Sequence, residues 1–438
     1  GGAATPSPLL YLGLGLLVAL MVFFGLLAWW LFYSPVPAGK TAKVIEASPV
    51  VKQVVVILVI ASSVLMFVGS FWDEVWHRTY GIPFGEDFFW RPHIMIYISI
   101  GLMAAFALGG MALIMRGRGD LRRRFRADPS TGLLALGAVF IMFVVPLDPL
   151  WHEVYGVDLT AWSLPHIMLF GGYSLVTLSA IALQLSLVPK VGWRGLGNFS
   201  LADGLMVLLA VGAFTMMLQL TTAEWEGRAI NAPINGPFLL RPLWLYPVVI
   251  TMLASFVGAL LINATHRVGL VTLTALLALA LRMTTITVFN TEPLNMTINA
   301  TLIAVPIFIA LDVWYFVRLR SADTRLTQLG AGVAVWAATC LVGIPLIAAL
   351  VVYPQVNAET LPGMVVFSLV IAVAAHHAGA MLGNTLRNLG GASSVSEPAT
   401  VRTGDVRQML GVGLAALVVG LLFVAWFVST ATPPTLGV

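Results

Sequence analysis

Long apolar runs recur from one end of this chain to the other, and each is long enough to cross the hydrocarbon core of a bilayer as an α-helix. Twelve are readable, at 8–32, 53–72, 93–115, 131–149, 166–188, 202–222, 242–264, 269–289, 297–317, 330–352, 364–384 and 409–427. With 59% hydrophobic and 10% charged residues in 438, no soluble domain is left over. The expected fold is therefore all-α: a polytopic transmembrane helical bundle of about 12 spans with repeated outward-facing helical hairpins. The chain opens on Gly-Gly, which reads as a trimmed start. Its first run is too long for a signal-peptide core and reads as a span. Cys340 is the only cysteine, which excludes a disulfide framework and a cysteine metal site.

The basic balance, 23 Lys and Arg against 19 Asp and Glu, would suit nucleic acid if it were clustered in a soluble face. It is distributed by topology instead. Alternate connections carry 18 of the 23, led by Arg116, Arg118, Arg122, Arg123, Arg124 and Arg126. The other connections hold only Arg78, Arg91, Arg228 and Arg241, and Arg282 lies inside a span. Positive residues concentrate on the cytoplasmic side. The expectation is an inner (cytoplasmic) membrane protein with both termini outside and membrane lipid, not nucleic acid, as its surroundings. Four segments follow: 1–52, the first span and its cytoplasmic loop; 53–190, two motif hairpins; 191–320, degenerate repeat hairpins; and 321–438, the C-terminal spans.

The motif hairpins carry the chemistry. Asp73-Glu74-Val75-Trp76-His77 is followed by Arg91-Pro92-His93-Ile94-Met95. About 75 residues later Asp148-Pro149-Leu150-Trp151-His152 is followed by Leu164-Pro165-His166-Ile167-Met168. Residues four apart share a helix face, so Asp73 with His77, and Asp148 with His152, point to one spot. His93 and His166 each open the next helix behind a proline suited to a helix start. Each hairpin thus offers a carboxylate and two imidazoles, a set that can hold copper, zinc or non-haem iron with positions left open. The plain alternative is that Trp and His anchor helix ends among headgroups. A third, decayed copy puts Glu224-Trp225-Glu226 and Arg241-Pro242-Leu243-Trp244 in the corresponding places.

The D-x-x-W-H phrase, a short polar loop and an H-I at a helix head resemble the C subunit of copper-dependent membrane monooxygenases, the particulate methane and ammonia monooxygenase family. The resemblance covers roughly residues 60–110 and 140–185. It implies copper held by Asp73, His77 and His93 and again by Asp148, His152 and His166. It also implies a small apolar or amphiphilic substrate and room for further membrane or periplasmic subunits. This chain departs from the family in carrying the motif twice and in the 15 and 13 residues between its paired histidines.

Other residues have two readings each. Glu74, Glu153 and Glu226 sit beside the ligand positions and could orient imidazoles, or be solvated loop carboxylates. His376 and His377 fall near the middle of the eleventh span, as a relay or as neutral histidines bonded across helices. Arg282 needs a partner, with Glu292, Glu226 or a lipid phosphate within its choice. Asp312 is expected to pair with the neighbouring basic cluster. The functional expectation is a metal-dependent membrane oxidoreductase. The alternatives are a metal-binding or transport protein without redox catalysis, and a bis-histidine haem protein. One dinuclear and two mononuclear sites remain equally open.

Overall fold

The computed structural model describes residues 8–36, 42–80, 89–155, 163–190, 192–197, 199–226, 242–289, 298–322, 324–350, 356–390, 418 and 422–430. Its helices are α1 (Pro8–Phe32), α2 (Pro49–Tyr80), α3 (Arg91–Arg116), α4 (Leu121–Ala127), α5 (Pro129–Val144), α6 (Leu147–Tyr155), α7 (Leu164–Leu185) and α8 (Leu201–Glu226). They continue with α9 (Leu245–Thr265), α10 (Leu270–Phe289), α11 (Ile298–Val317), α12 (Arg325–Ala338), α13 (Ile344–Leu350) and α14 (Leu361–Gly390). Among the described residues, ten helical stretches are long and apolar enough to cross a membrane. They match the second to eleventh expected spans. The first is α1, and the twelfth lies mostly outside the described residues, with 422–429 helical. The protein is thus an all-α, multi-pass helical bundle.

Span starts are written locally. Pro92, Pro129 and Pro165 occupy first-turn positions, where a missing N–H costs nothing. Asp128 accepts from the Thr131 amide at 3.4 Å at the head of α5. Pro146 separates α5 from α6, whereas the corresponding stretch of the first hairpin runs unbroken through α2.

At the end of the bundle away from the motif loops, arginines close helix C-termini. Arg126 donates to Leu31 O at 2.8 Å and Ser34 O at 2.5 Å, finishing α1. Arg124 donates to Ile114 O and Gly117 O, both at 3.0 Å, finishing α3. Those carbonyls have no partner within their own helix, so a cation there supplies the missing donor and complements the dipole. Asp128 also pairs with Lys52 at 2.9 Å, both side chains buried. Asp312 differs from expectation. It does not pair with the basic cluster but accepts from the Gly269 and Thr272 amides, both at 2.7 Å, capping α10 from another helix.

One hydrophobic core runs from α2 to the last described helix. Its central helix is α9, which is buried along almost all of its length. α14 packs closely along α9 because Gly379 and Gly383, one turn apart, lie against the Phe256 and Leu260 carbonyls, also one turn apart; a Cβ at either glycine would collide with backbone. In lipid such small residues let backbones approach. Gly379→Val therefore forces α14 away from α9. A loss of about 1–3 kcal/mol, as for other overpacked cores, is expected as a lower melting temperature in detergent. An unchanged melt would contradict the packing.

Candidate metal centre

The two motif hairpins pack through α2 against α3, α3 against α5 and α5 against α7. α3 runs away from the first loop and α5 returns, so both motifs lie at the same end of the bundle. In the second hairpin, Asp148 sits in the first turn of α6 and His152 one turn on. His166 is the third residue of α7, behind Pro165. His166 Nε2 lies 3.3 Å from Asp148 Oδ1. His152 Nε2 lies 3.9 Å from the same oxygen. One ligand atom from each of the three fits within 4.8 Å of the others. Their rings are 6.4 Å apart at 60°.

In the first hairpin His93 Nε2 lies 2.9 Å from Asp73 Oδ1. His77 is on α2 one turn beyond Asp73, but its side chain lies outside the described residues. All five described side chains are partly exposed, from 20% at Asp73 and His93 to 35% at His152. They form a partly exposed rim and not a sealed core. Each carboxylate also stands at the N-terminal end of α3 or α7, where the helix dipole favours negative charge.

The donor set fits a transition-metal ion. Two ligand atoms about 2.1 Å from one ion lie about 3.4 Å apart at a tetrahedral angle and about 3.0 Å apart at a right angle. The Asp148–His166 separation matches the first and the Asp73–His93 separation matches the second. The Asp148–His152 separation is wider by about half an ångström, within reach of a small side-chain rotation.

The repeated tryptophans are not membrane anchors in the first and third copies. Trp76 is buried and meets Trp90 edge-on at 5.7 Å. Trp225 is buried and meets Tyr246 edge-on at 5.8 Å. Each clasps its helix to the start of the next.

Three expectations about flanking residues resolve differently. Glu74 is half-buried beside Asp73, while the side chains of Glu153 and Glu226 lie outside the described residues, as does Glu292. Arg282 is buried on α10 with its guanidinium over the Phe67 and Phe71 rings, at 4.8 and 5.0 Å, a cation–π arrangement. His376 and His377 fall near the middle of α14, as expected, and there they part: His377 is exposed and His376 is buried and bonded across helices. There His376 Nε2 lies 3.2 Å from Tyr315 OH and 3.1 Å from Gln328 Oε1. Gln328 Nε2 donates to Asn263 Oδ1 at 3.1 Å. Tyr315 and Asn263 are each two residues from the end of their helix.

One polar cluster had no signature in the sequence. Ser62 on α2, Ser99 on α3 and Tyr173 on α7 are buried and joined by hydroxyl hydrogen bonds, Ser62 Oγ to Ser99 Oγ at 3.0 Å and Tyr173 OH to both serines. Ser99 is six residues beyond His93 and Tyr173 seven beyond His166, so the knot lies about 10 Å below the rim. It ties the two hairpins together. Isolated serines in apolar helices carry no periodicity that would have marked it.

Comparison with protein-family models, curated proteins and solved structures gave no match. Fold and site together define a multi-pass helical bundle with an Asp/His/His cluster at one rim.

The His376 network is structural and separate from that rim. Tyr315→Phe removes the hydroxyl facing His376 and Gln328, and leaving buried partners short of a bond costs about 1–3 kcal/mol. The expected outcome is a lower melting temperature with unchanged metal content. A change in bound metal would join the network to the centre.

Proposed function

We propose that this chain is a membrane metalloprotein that holds one transition-metal ion through Asp148, His152 and His166 and a second through Asp73, His77 and His93. The convergence of three ligand atoms from α6 and α7 within 4.8 Å carries the reading. Copper is the metal supported by the resemblance to the C subunit of copper-dependent membrane monooxygenases. Iron and zinc accept the same donors. A copper or iron ion with three protein ligands supplies open positions for dioxygen. The chain's own residues supply the rest. Each aspartate offsets part of the cation's charge, the imidazoles fix its position, and partial exposure leaves an approach for a small apolar or amphiphilic substrate from the lipid. This makes the protein a monooxygenase-like oxidoreductase, with the arginine-rich end facing the cytoplasm in accord with the charge asymmetry.

Metal transport is the second reading, and the interior weighs against it. The polar groups below the rim, Ser62, Ser99 and Tyr173, are bonded to one another, and a turn further along α7 Thr177 meets Ser63 at 3.2 Å, so their hydrogen bonds are taken up within packed helices. A rim site fits that interior better than a conduit.

The test is metal analysis of the purified full chain after separate loading with copper, iron and zinc. About one ion per three-ligand set is expected. His152→Ala and His166→Ala should each lose the ion of the second set, and His93→Ala that of the first. Less than one ion per chain, or no loss in the variants, leaves the short Asp–His contacts as ordinary hydrogen bonds and ends the proposal. Copper-dependent oxygen consumption supports the oxidoreductase. Uptake of metal into proteoliposomes transfers the assignment to transport.

A further inference from the structure

Away from the metal centre, the arginine-rich end of the bundle holds an open cavity of about 480 Å³ lined by Val36, Ala42, Val44, Arg123, Arg126 and Ala127. It lies where the two-residue strands Ala42–Lys43 and Arg118–Gly119 pair beside α4. The six arginines from Arg116 to Arg126 divide into two groups. Arg122, Arg124 and Arg126 are engaged with carbonyls, and Arg122 also bonds Asp120, its Nη2 lying 3.2 Å from Oδ2. Arg116, Arg118 and Arg123 are exposed and have no ion pair among the described residues. Arg126, anchored through Nε and Nη2, keeps Nη1 without a hydrogen bond among the described residues.

The acids nearby do not neutralise this charge. Asp128 is taken by Lys52 at 2.9 Å, and Arg122 holds the Asp120 carboxyl below the ordinary aspartate range. Glu46 is exposed and makes no ion pair among the described residues. The cavity therefore presents uncompensated guanidinium donors beside the apolar Val36 and Val44. Trp29, Trp30 and Tyr33 at the end of α1 are 56%, 40% and 70% exposed. That is the position of an aromatic belt, which puts the cavity at headgroup depth. Guanidinium groups bind phosphate through paired, charge-assisted hydrogen bonds.

We propose that this cavity binds a phosphate group, with Arg123 and the free edge of Arg126 as its donors. The phosphate is that of an anionic lipid headgroup or free phosphate; the aromatic belt favours the lipid. The site is independent of the metal reading.

The experiment uses the full chain, delipidated in detergent, with phosphatidylglycerol, phosphatidylcholine and inorganic phosphate added separately. Binding is read by native mass spectrometry and by melting temperature. Phosphatidylglycerol should bind and stabilise, and phosphatidylcholine should not. Arg123→Ala, which breaks no described hydrogen bond of its side chain, should weaken binding roughly fivefold, the effect of one basic residue at an anionic surface. Arg325→Ala, exposed at the start of α12, should leave it unchanged. Stabilisation by inorganic phosphate alone, lost in Arg123→Ala, supports the site and assigns it the soluble source. Equal binding of the two lipids with no response to phosphate overturns the proposal, and so does an Arg123→Ala variant that binds as wild type.

Discussion

A backbone in hydrocarbon has no water to bond, so each segment that crosses must close its own amide–carbonyl ladder, and only helix ends remain open. The rest of this structure follows from how those ends are met. At one end, Arg124 and Arg126 reach the last carbonyls of α3 and α1, and Asp312 supplies an acceptor to the first amides of α10. At the other, α3 and α7 begin with a proline in the first turn and carry His93 and His166 immediately after it. The positive ends of those helices face Asp73 and Asp148. The candidate metal centre is thus assembled from groups that helix termini already draw to the rim, and the two ends of the bundle become chemically different.

Between the ends, two groups of buried polar side chains bond one another across helices. Ser62, Ser99 and Tyr173 do so across three helices, and Tyr315, Gln328, Asn263 and His376 across four. A buried hydroxyl or amide without a partner costs far more than a satisfied one contributes, so these clusters fix which helix faces meet. The buried Lys52–Asp128 pair works the same way. Its net contribution is small once desolvation is counted, but separating the partners is expensive, and Asp128 is also the cap of α5. Close backbone approach at Gly379 and Gly383 then seats α14 on the central helix.

The apolar runs, the duplicated motif and the prolines ahead of His93 and His166 were all legible in the chain. They are local: hydropathy sets the spans, the one-turn spacing puts Asp148 and His152 on one face, and proline marks a helix start. Sequence therefore determined the helical class, the span positions and the residues eligible to hold a metal. It did not determine that Trp76 and Trp225 are interhelical clasps, that Arg282 rests on phenylalanine rings, or that His376 turns inward to Tyr315 and Gln328 while His377 is exposed. Those facts depend on which helices become neighbours and how each is rotated about its axis. Contacts between residues distant in the chain decide that, and no local spacing encodes them. The convergence of Asp148, His152 and His166 stands between the two: spacing made it possible, and the packing of α6 against α7 brought it within ligand distance.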